Sequence, residues 1–360
     1  RQFVDSIEKH HSLIHLEFHQ CQFNENDVQQ LKILENQGNL FYLLISQEMH
    51  QLKSNVMKWK IDGETIAGKN GYGDKSNQLW YPFGIYVDNE EQCIYIADCE
   101  NHRIVKCKLD DENSNGKIVA GENGKGYQID QLNCPTDVIL DEKKKSLIIS
   151  DRDNSRVVRW SLENPNGDKE ILIENISCWG LMMNENGDLF VSDQKNHAVK
   201  RWRKGEIGGK GEGIIVAGGN GWGNKLNQLQ RPTYIFIDGE ETVYVSDFEN
   251  HRVMKWLKGA SEGIIVAGGH GRGNSLTQLN GPDGLIANEV GDVYVVDSNN
   301  HRIMCWSLGS KEGRVVVGGN GAGQGSNQLN YPRGLSFDVE NNLYVVDCDN
   351  HRIQRFHVDR

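Results

Sequence analysis

Apolar residues in most of this chain come in runs of four, separated by polar and glycine-rich turns. Ile214-Ile215-Val216-Ala217 is a β-branched run closed by Gly218-Gly219-Asn220-Gly221. A polar loop ending in Gln228-Leu229 and Pro232 leads to Tyr234-Ile235-Phe236-Ile237, and Asp238-Gly239 turns into Val243-Tyr244-Val245-Ser246. Asp247 to Asn250 make the next turn, before Val253-Met254-Lys255-Trp256. Runs this short with tight turns predict a four-stranded antiparallel meander over 214–256. The runs are apolar at successive rather than alternate positions, so both faces of the sheet are covered. One such sheet is unstable alone, and the pattern predicts related sheets packed face to face in a ring.

The pattern repeats around one phrase: an aspartate, two variable residues, an asparagine and then, in most copies, His-Arg. The asparagines are Asn101, Asn154, Asn196, Asn250, Asn300 and Asn350, at intervals of 53, 42, 54, 50 and 50 residues. Such a period belongs to solenoids and propellers. The Gly-rich loop recurs at 68–73, 121–126, 218–223, 268–273 and 318–323, with Gln-Leu shortly after. In the 42-residue interval the loop is missing, and Glu170 to Cys178 bridge the gap to Trp179-Gly180. That pair aligns with the Pro-x-Gly step at Pro82, Pro282 and Pro332, so the third blade is degenerate.

Six inner-strand segments predict six blades. The chain finishes after a fourth run, Arg352 to Phe356, with no fifth. The missing strand lies at the front, Thr65-Ile66-Ala67-Gly68, which is expected to complete the last blade and remove an open edge. Asn55-Val56-Met57-Lys58-Trp59 resembles Arg252-Val253-Met254-Lys255-Trp256, which opens the alternative of a seventh-blade remnant over 38–60.

The pattern Asn-Gln-Leu-x-x-Pro-x-Gly, then Tyr-Val-x-Asp, then Asn-His-Arg-Ile resembles the NHL repeat and covers residues 61 to 360. The resemblance implies an all-β, six-bladed β-propeller of four-stranded antiparallel blades, usually a platform for protein or RNA ligands. Such domains resemble the substrate-recognition end of TRIM-type and malin-like ubiquitin ligases. No RING cysteine/histidine pattern is present, so ligase activity does not carry over to this chain.

Residues 1–50 read as a small α/β N-terminal extension, with the propeller over 51–360. Leu13-x-x-Leu16-x-Phe18-x-x-Cys21-x-Phe23 fits the leucine-rich-repeat phrase, Asp27 to Leu34 its helix, and Leu40-x-x-Leu43-x-Ile45 restarts it. An ordinary helical lead-in is the alternative.

The formal net charge of -11 works against a nucleic-acid surface, which depends on clustered Lys and Arg. No apolar run approaches a membrane span, and a cytoplasmic setting is slightly favoured. The 8 cysteines form no CxxC pair. Cys93 and Cys107 could face each other across a hairpin; the rest read as small apolar fillers. Asn175-Ile176-Ser177 is the one glycosylation sequon.

Repeated residues read as scaffold. Histidines spread one per blade do not converge on a metal. The aspartate and asparagine fold the turn through side chain–backbone hydrogen bonds, and the arginine bridges to carboxylates or carbonyls nearby. The Gly-x-Gly loops precede strands, not helices, which argues against a phosphate cofactor, and none is expected. Trp160, Trp202, Trp256, Trp306 and Phe356 share one slot, read as packing between blades.

Function is sought where the copies disagree. Strand alternation places the Gly-rich loops and the Asp-x-x-Asn turns on one face, opposite a set of acidic turns to which Lys143-Lys144-Lys145 is the exception. The residue after the proline step is Phe83, Thr136, Trp179, Thr233, Asp283 or Arg333, at the mouth of the central channel. After the turn aspartate stands Cys99, Arg152, Gln194, Phe248, Ser298 or Cys348. Inside Gly-x-Gly stands Tyr72, Lys125, Trp222, Arg272 or Ala322. Mixed aromatic and charged groups on a uniform scaffold suit a protein interface. The expectation is a non-catalytic module holding a protein or peptide. The first alternative is a metal-dependent lyase or lactonase-type hydrolase, with Asp283 the one carboxylate placed at the channel. The second is single-stranded RNA binding through Arg152, Lys125, Arg272 and Arg333, with Tyr72, Trp222 and Phe248 for stacking.

Overall fold

The computed structural model describes residues 57–360 apart from 112–114, 165–166 and 209–210. The chain divides into two compact units, Arg1–Val56 and Met57–Arg360; the leucine-rich-repeat reading of 1–50 lies outside the described residues.

The second unit is a ring of six four-stranded antiparallel sheets. From the channel outwards, blade four runs Pro232–Ile237, Val243–Asp247, Arg252–Trp256 and Ile264–Gly268. Ile214–Gly218 bonds instead to Ala198–Trp202, as the outermost strand of blade three. Sequence repeat and blade are thus offset by one strand, and the expected meander over 214–256 spans two blades. The cause is the length of the loop over 219–231. Far longer than a hairpin connection, it carries the chain from the rim of one blade to the inner strand of the next.

Inner strands Pro82–Asp88, Pro135–Asp141, Cys178–Met183, Pro232–Ile237, Pro282–Ala287 and Pro332–Phe337 contact one another in cyclic order. They come close enough that glycine is needed at the third position: a Cβ on Gly84 would strike the Asp137 backbone, and one on Gly334 the Phe83 carbonyl. Successive apolar positions pay off as the two-sided burial expected, since Leu343–Asp347 is buried throughout. Trp160, Trp202, Trp256, Trp306 and Phe356 are all buried in the clusters between blades.

Closure follows the predicted path. Glu64–Ala67 pairs with Arg352–Phe356, in the register Glu64↔Arg355, Thr65↔Gln354 and Ala67↔Ile353. Arg355 Nη2 adds an ion pair to Glu64 at 2.7 Å. Upstream, Trp59 bridges to Val358, donates its indole N–H to the Asn341 carbonyl at 2.9 Å, and lies 5.7 Å from both Tyr294 and Phe337. The described part of the seventh-blade candidate therefore extends the closure of blade six, and the described residues form six blades.

The hairpin cysteines do not pair. Cys93 stands opposite Lys108 and Cys107 opposite Ile94, so the two side chains leave opposite faces of the sheet, and both thiols are free. A disulfide instead joins Cys99, in the turn of blade one, to Cys134, just before the inner strand of blade two. No helix among the described residues is long and apolar enough to cross a membrane.

Candidate functional site

The scaffold of the motif face is clearest in blade five. Asp297 ends a strand, and its Oδ1 accepts the Asn280 N–H at 2.7 Å. Oδ2 accepts from Arg302 Nε at 2.7 Å and from Asn300 Nδ2 at 2.8 Å. Asn300 Nδ2 also donates to the Gly273 carbonyl of the Gly-rich loop at 2.8 Å, and Arg302 Nη2 to the Ser275 carbonyl at 3.1 Å. The loop is stapled from within: Gln278 Nε2 donates to the His270 carbonyl at 3.0 Å, while Leu279 is buried beneath. Each phrase residue thus holds the loop over its own turn.

Histidine does a different job. His301 sits in the left-handed region (φ 54°), and its Nδ1 accepts the Tyr331 N–H of the next blade at 3.1 Å. His102, His197, His251 and His351 accept in the same way from Cys134, Arg231, Gly281 and Tyr81 at 3.0, 3.3, 3.2 and 3.2 Å. Burial holds His102, His251, His301 and His351 below the usual imidazole range, which keeps the neutral acceptor form.

Blade three tests these assignments within one molecule. Its loop is absent and its arginine is Ala198, so the group that holds the loop disappears with the loop. Lys200 Nζ, 3.2 Å from Asp193, takes over the charge. Asn196 Nδ2 bonds to Asp193 Oδ2 at 2.7 Å and to no loop carbonyl. It is exposed, whereas its five counterparts are covered or half-covered. Gln194 Nε2 nearby has no hydrogen-bond partner.

The six residues that follow the proline step contact mostly one another and their neighbouring turns. Thr136, Trp179, Thr233 and Asp283 are buried, while Phe83 and Arg333 are half-buried. Arg333 pairs with Asp283 at 2.8 Å and lies over Phe83 at 5.1 Å. Phe83 is 5.5 Å from Trp179, which Arg152 covers at 5.4 Å. Thr136 Oγ1 donates to the Trp179 carbonyl at 3.0 Å and Thr233 Oγ1 to the Pro282 carbonyl at 3.4 Å. Arg152 Nη2 also donates to Cys134 Sγ, a sulfur of the disulfide, at 2.9 Å.

Two channel residues escaped the sequence reading. Asp137 and Tyr234 occupy the third position of the proline step, where four blades carry glycine. The Asp137 carboxylate accepts the Leu181 and Val138 N–H groups at 2.8 and 2.9 Å, and Tyr234 Oη donates to the Thr136 carbonyl at 3.0 Å. Burial, reinforced by the Asp283 charge, pushes the Asp137 carboxyl up to about 8. Asp283 is also raised by burial, with the Arg333 guanidinium pulling the other way. The missed signal was the glycine itself: any residue replacing it must point into the channel.

The loop-tip residues remain apart from this cluster. Tyr72 is 67 % exposed and Trp222 69 %, with Lys125, Arg272 and Ala322 also exposed. Phe248, half-buried, lies 5.3 Å under Arg231. Cys99, Ser298 and Cys348 are buried, which withdraws three turn slots from the surface. Among the described residues, Cys99, Glu100 and Cys134 are grouped closely enough to suggest metal ligands, but their two sulfurs are joined to each other.

The NHL-repeat family model matches residues 329–356, which hold the three inner strands of blade six. A search of curated proteins gives no match. Among solved structures, the chain is similar to a protein of unknown function from Bacteroides thetaiotaomicron, at 16% identity over 83% of this chain and 76% of that one, with TM-score 0.63. An auxiliary nutrient binding protein from the same bacterium matches at 17% identity over 84% and 73%, with TM-score 0.60. A gluconolactonase from Xanthomonas campestris matches at 12% identity over 82% and 89%, with TM-score 0.55. At these identities the likeness is one of fold alone.

Proposed function

We propose that the propeller is a non-catalytic binding module that holds a protein or peptide on the motif face. The observation that carries this reading is the exposure of Tyr72 and Trp222 at the tips of loops whose remaining residues are fixed by the repeat. Large aromatic rings held in water on a rigid crown are what interface hot spots are made of. A place at the recognition end of a ubiquitin-ligase-like protein, as the repeat's resemblance suggests, is compatible with such a module.

The runner-up is a metal-dependent lyase or lactonase with its site in the channel. In its favour, Asp283 Oδ1 is buried without a partner and Asp137 stands near it. The donor set nevertheless fits a cation poorly. Asp137 is committed to two main-chain N–H groups, and Asp283 is neutralised by Arg333. Elemental analysis separates the two readings, since a stoichiometric divalent metal favours the enzyme.

The direct test uses the whole chain as bait for affinity capture. Tyr72→Ala/Trp222→Ala/Arg272→Ala should lose captured partners while its stability stays within about 0.5 kcal/mol of the parent. Glu90→Ala, on the opposite face, should capture normally. Equal capture by the triple variant would refute the reading. Arg333 is unsuitable for this test, because removing it strands the buried Asp283 and costs roughly 3–5 kcal/mol.

A further inference from the structure

The crown of loops on the motif face has one gap. Five blades enter their inner strand through a Gly-rich loop lying over the Asp-x-x-Asn turn. Blade three instead enters from Glu174 through residues 175–177 directly into Cys178–Met183. In the five covered blades the turn asparagine donates to a glycine carbonyl of the loop, at 2.7 Å from Asn101 to Gly73 and 2.8 Å from Asn154 to Gly126. Asn250 donates to Gly223, Asn300 to Gly273 and Asn350 to Gly323 at 2.8, 2.8 and 2.7 Å. Asn196 keeps the residue type and the bond to its aspartate but has no loop carbonyl to meet.

We infer that this gap receives an extended segment of a partner protein, whose main-chain carbonyl takes the hydrogen bond from Asn196 that the loop glycines take elsewhere. The proposal rests on the binding reading above and gives it a location and a chemistry. The sibling blades show what such an asparagine binds, which is a backbone carbonyl approaching over the turn. The other unmet polar atoms at this end of blade three are also donors, both buried beneath the gap: Gln194 Nε2, and the indole Nε1 of Trp179 at the start of the inner strand. Cationic side chains stand along the gap, with Lys195 exposed beside Asn196 and Arg152 on the preceding turn. The acids beside it are Asp193, buried and already bound to Asn196 at 2.7 Å and to Lys200 at 3.2 Å, Asp153, bound to Arg152 at 2.8 Å, and Glu174 at the rim. Donors and cations together select an acceptor-rich segment, hence a bare main chain with neutral or acidic side chains. The apolar floor is already filled by buried Ile176, so no hydrophobic anchor is expected at that point.

A library of random linear dodecapeptides displayed on phage, panned on the whole chain, supplies the probe. The selected peptides should bind Gln194→Ala/Asn196→Ala at least tenfold more weakly, two lost hydrogen bonds being worth about that much. Because neither side chain holds a loop, Tm should move by no more than about 2 °C. Asn300→Ala serves as the control; it should lower Tm by more, because its loop is released, and leave the peptide affinity unchanged. Replacing 175–177 with a copy of 269–281 should fill the gap and block the same peptides. If peptides bind the double variant within twofold of the parent while Trp222→Ala weakens them, the gap inference is overturned and the binding module stands. If no peptide is selected, both fall together.

Discussion

At the scale of the residue, the repeated Asp-x-x-Asn-His-Arg phrase divides into three tasks: aspartate gathers the turn, asparagine and arginine hold the loop, and histidine sews one blade to the next. The last task carries a pH dependence. His102, His251, His301 and His351 work as neutral acceptors, and protonation at Nδ1 would set a donor against a donor. Burial depresses these imidazoles, opposed by nearby acids: Glu100, Asp151 and Asp153 at His102, Glu249 and Asp297 at His251, and Asp297, Asp347 and Asp349 at His301. Lys125 and Arg272 add to the depression at His102 and His251. A folded pKa below the unfolded one means stability that is present above about pH 6.5 and is lost as pH falls through the folded value. The histidines should therefore pull the urea midpoint down between pH 7 and pH 5, against the opposite pull of buried Asp137, whose raised carboxyl gains stability as pH falls. His301→Asn accepts the left-handed conformation without titrating, so it should weaken the histidine pull by about 1 kcal/mol. An unchanged pH profile in the variant would remove the histidines from the explanation.

These residues also show what could be read in advance. Asp297, Asn300 and Arg302 could be assigned to scaffolding because local turns and nearby strands satisfy them. The partner of His301, Tyr331, lies 30 residues on in another blade, and no local rule points to it. The same holds for the disulfide. Cys99 and Cys134 are 35 residues apart, and pairing them requires knowing that the turn of one blade abuts the inner strand of the next. Asp137 and Tyr234 were visible as departures from glycine, but only the crowding of the inner strands shows why glycine was the rule.

At the scale of the element, strand identity and the closing strand were legible, and the blade boundary was not. The runs declare themselves through β-branched residues, but a run cannot say which neighbour it bonds to. Ile214–Gly218 looks like a first strand and serves as a last one. The pairing of Arg352–Phe356 with Glu64–Ala67 decides the matter, because it makes the early strand the outermost one of the last blade. Removing residues 1–68 deletes that strand together with Trp59, and leaves the outer edge of blade six unpaired. That truncation should aggregate or unfold without a cooperative transition. Removing residues 1–50 takes away no described blade strand, so its thermal transition should stay sharp. A cooperative transition in the longer truncation would contradict the closure.

At the scale of the whole molecule, the net charge of -11 is unevenly spread. The Gly-rich loops carry Lys69, Lys75, Lys125, Lys225, Arg231 and Arg272 against Asp74, Glu122 and Asp130. The opposite turns hold Asp88, Glu90, Glu91, Asp238, Glu240 and Glu241, with Lys143, Lys144 and Lys145 the exception. A ring whose copies agree in scaffold and differ at their tips offers one rigid face with six separately adjustable sectors, and blade three is the sector left open.

The claim that this face is the working surface is tested most directly by hydrogen–deuterium exchange of the whole chain, with and without a bound protein or selected peptide. Protection should appear in the Gly-rich loops, 218–231 among them, and in the Asp-x-x-Asn turns, while 88–92 and 238–242 on the other face stay unchanged. Protection confined to those opposite turns would contradict the account.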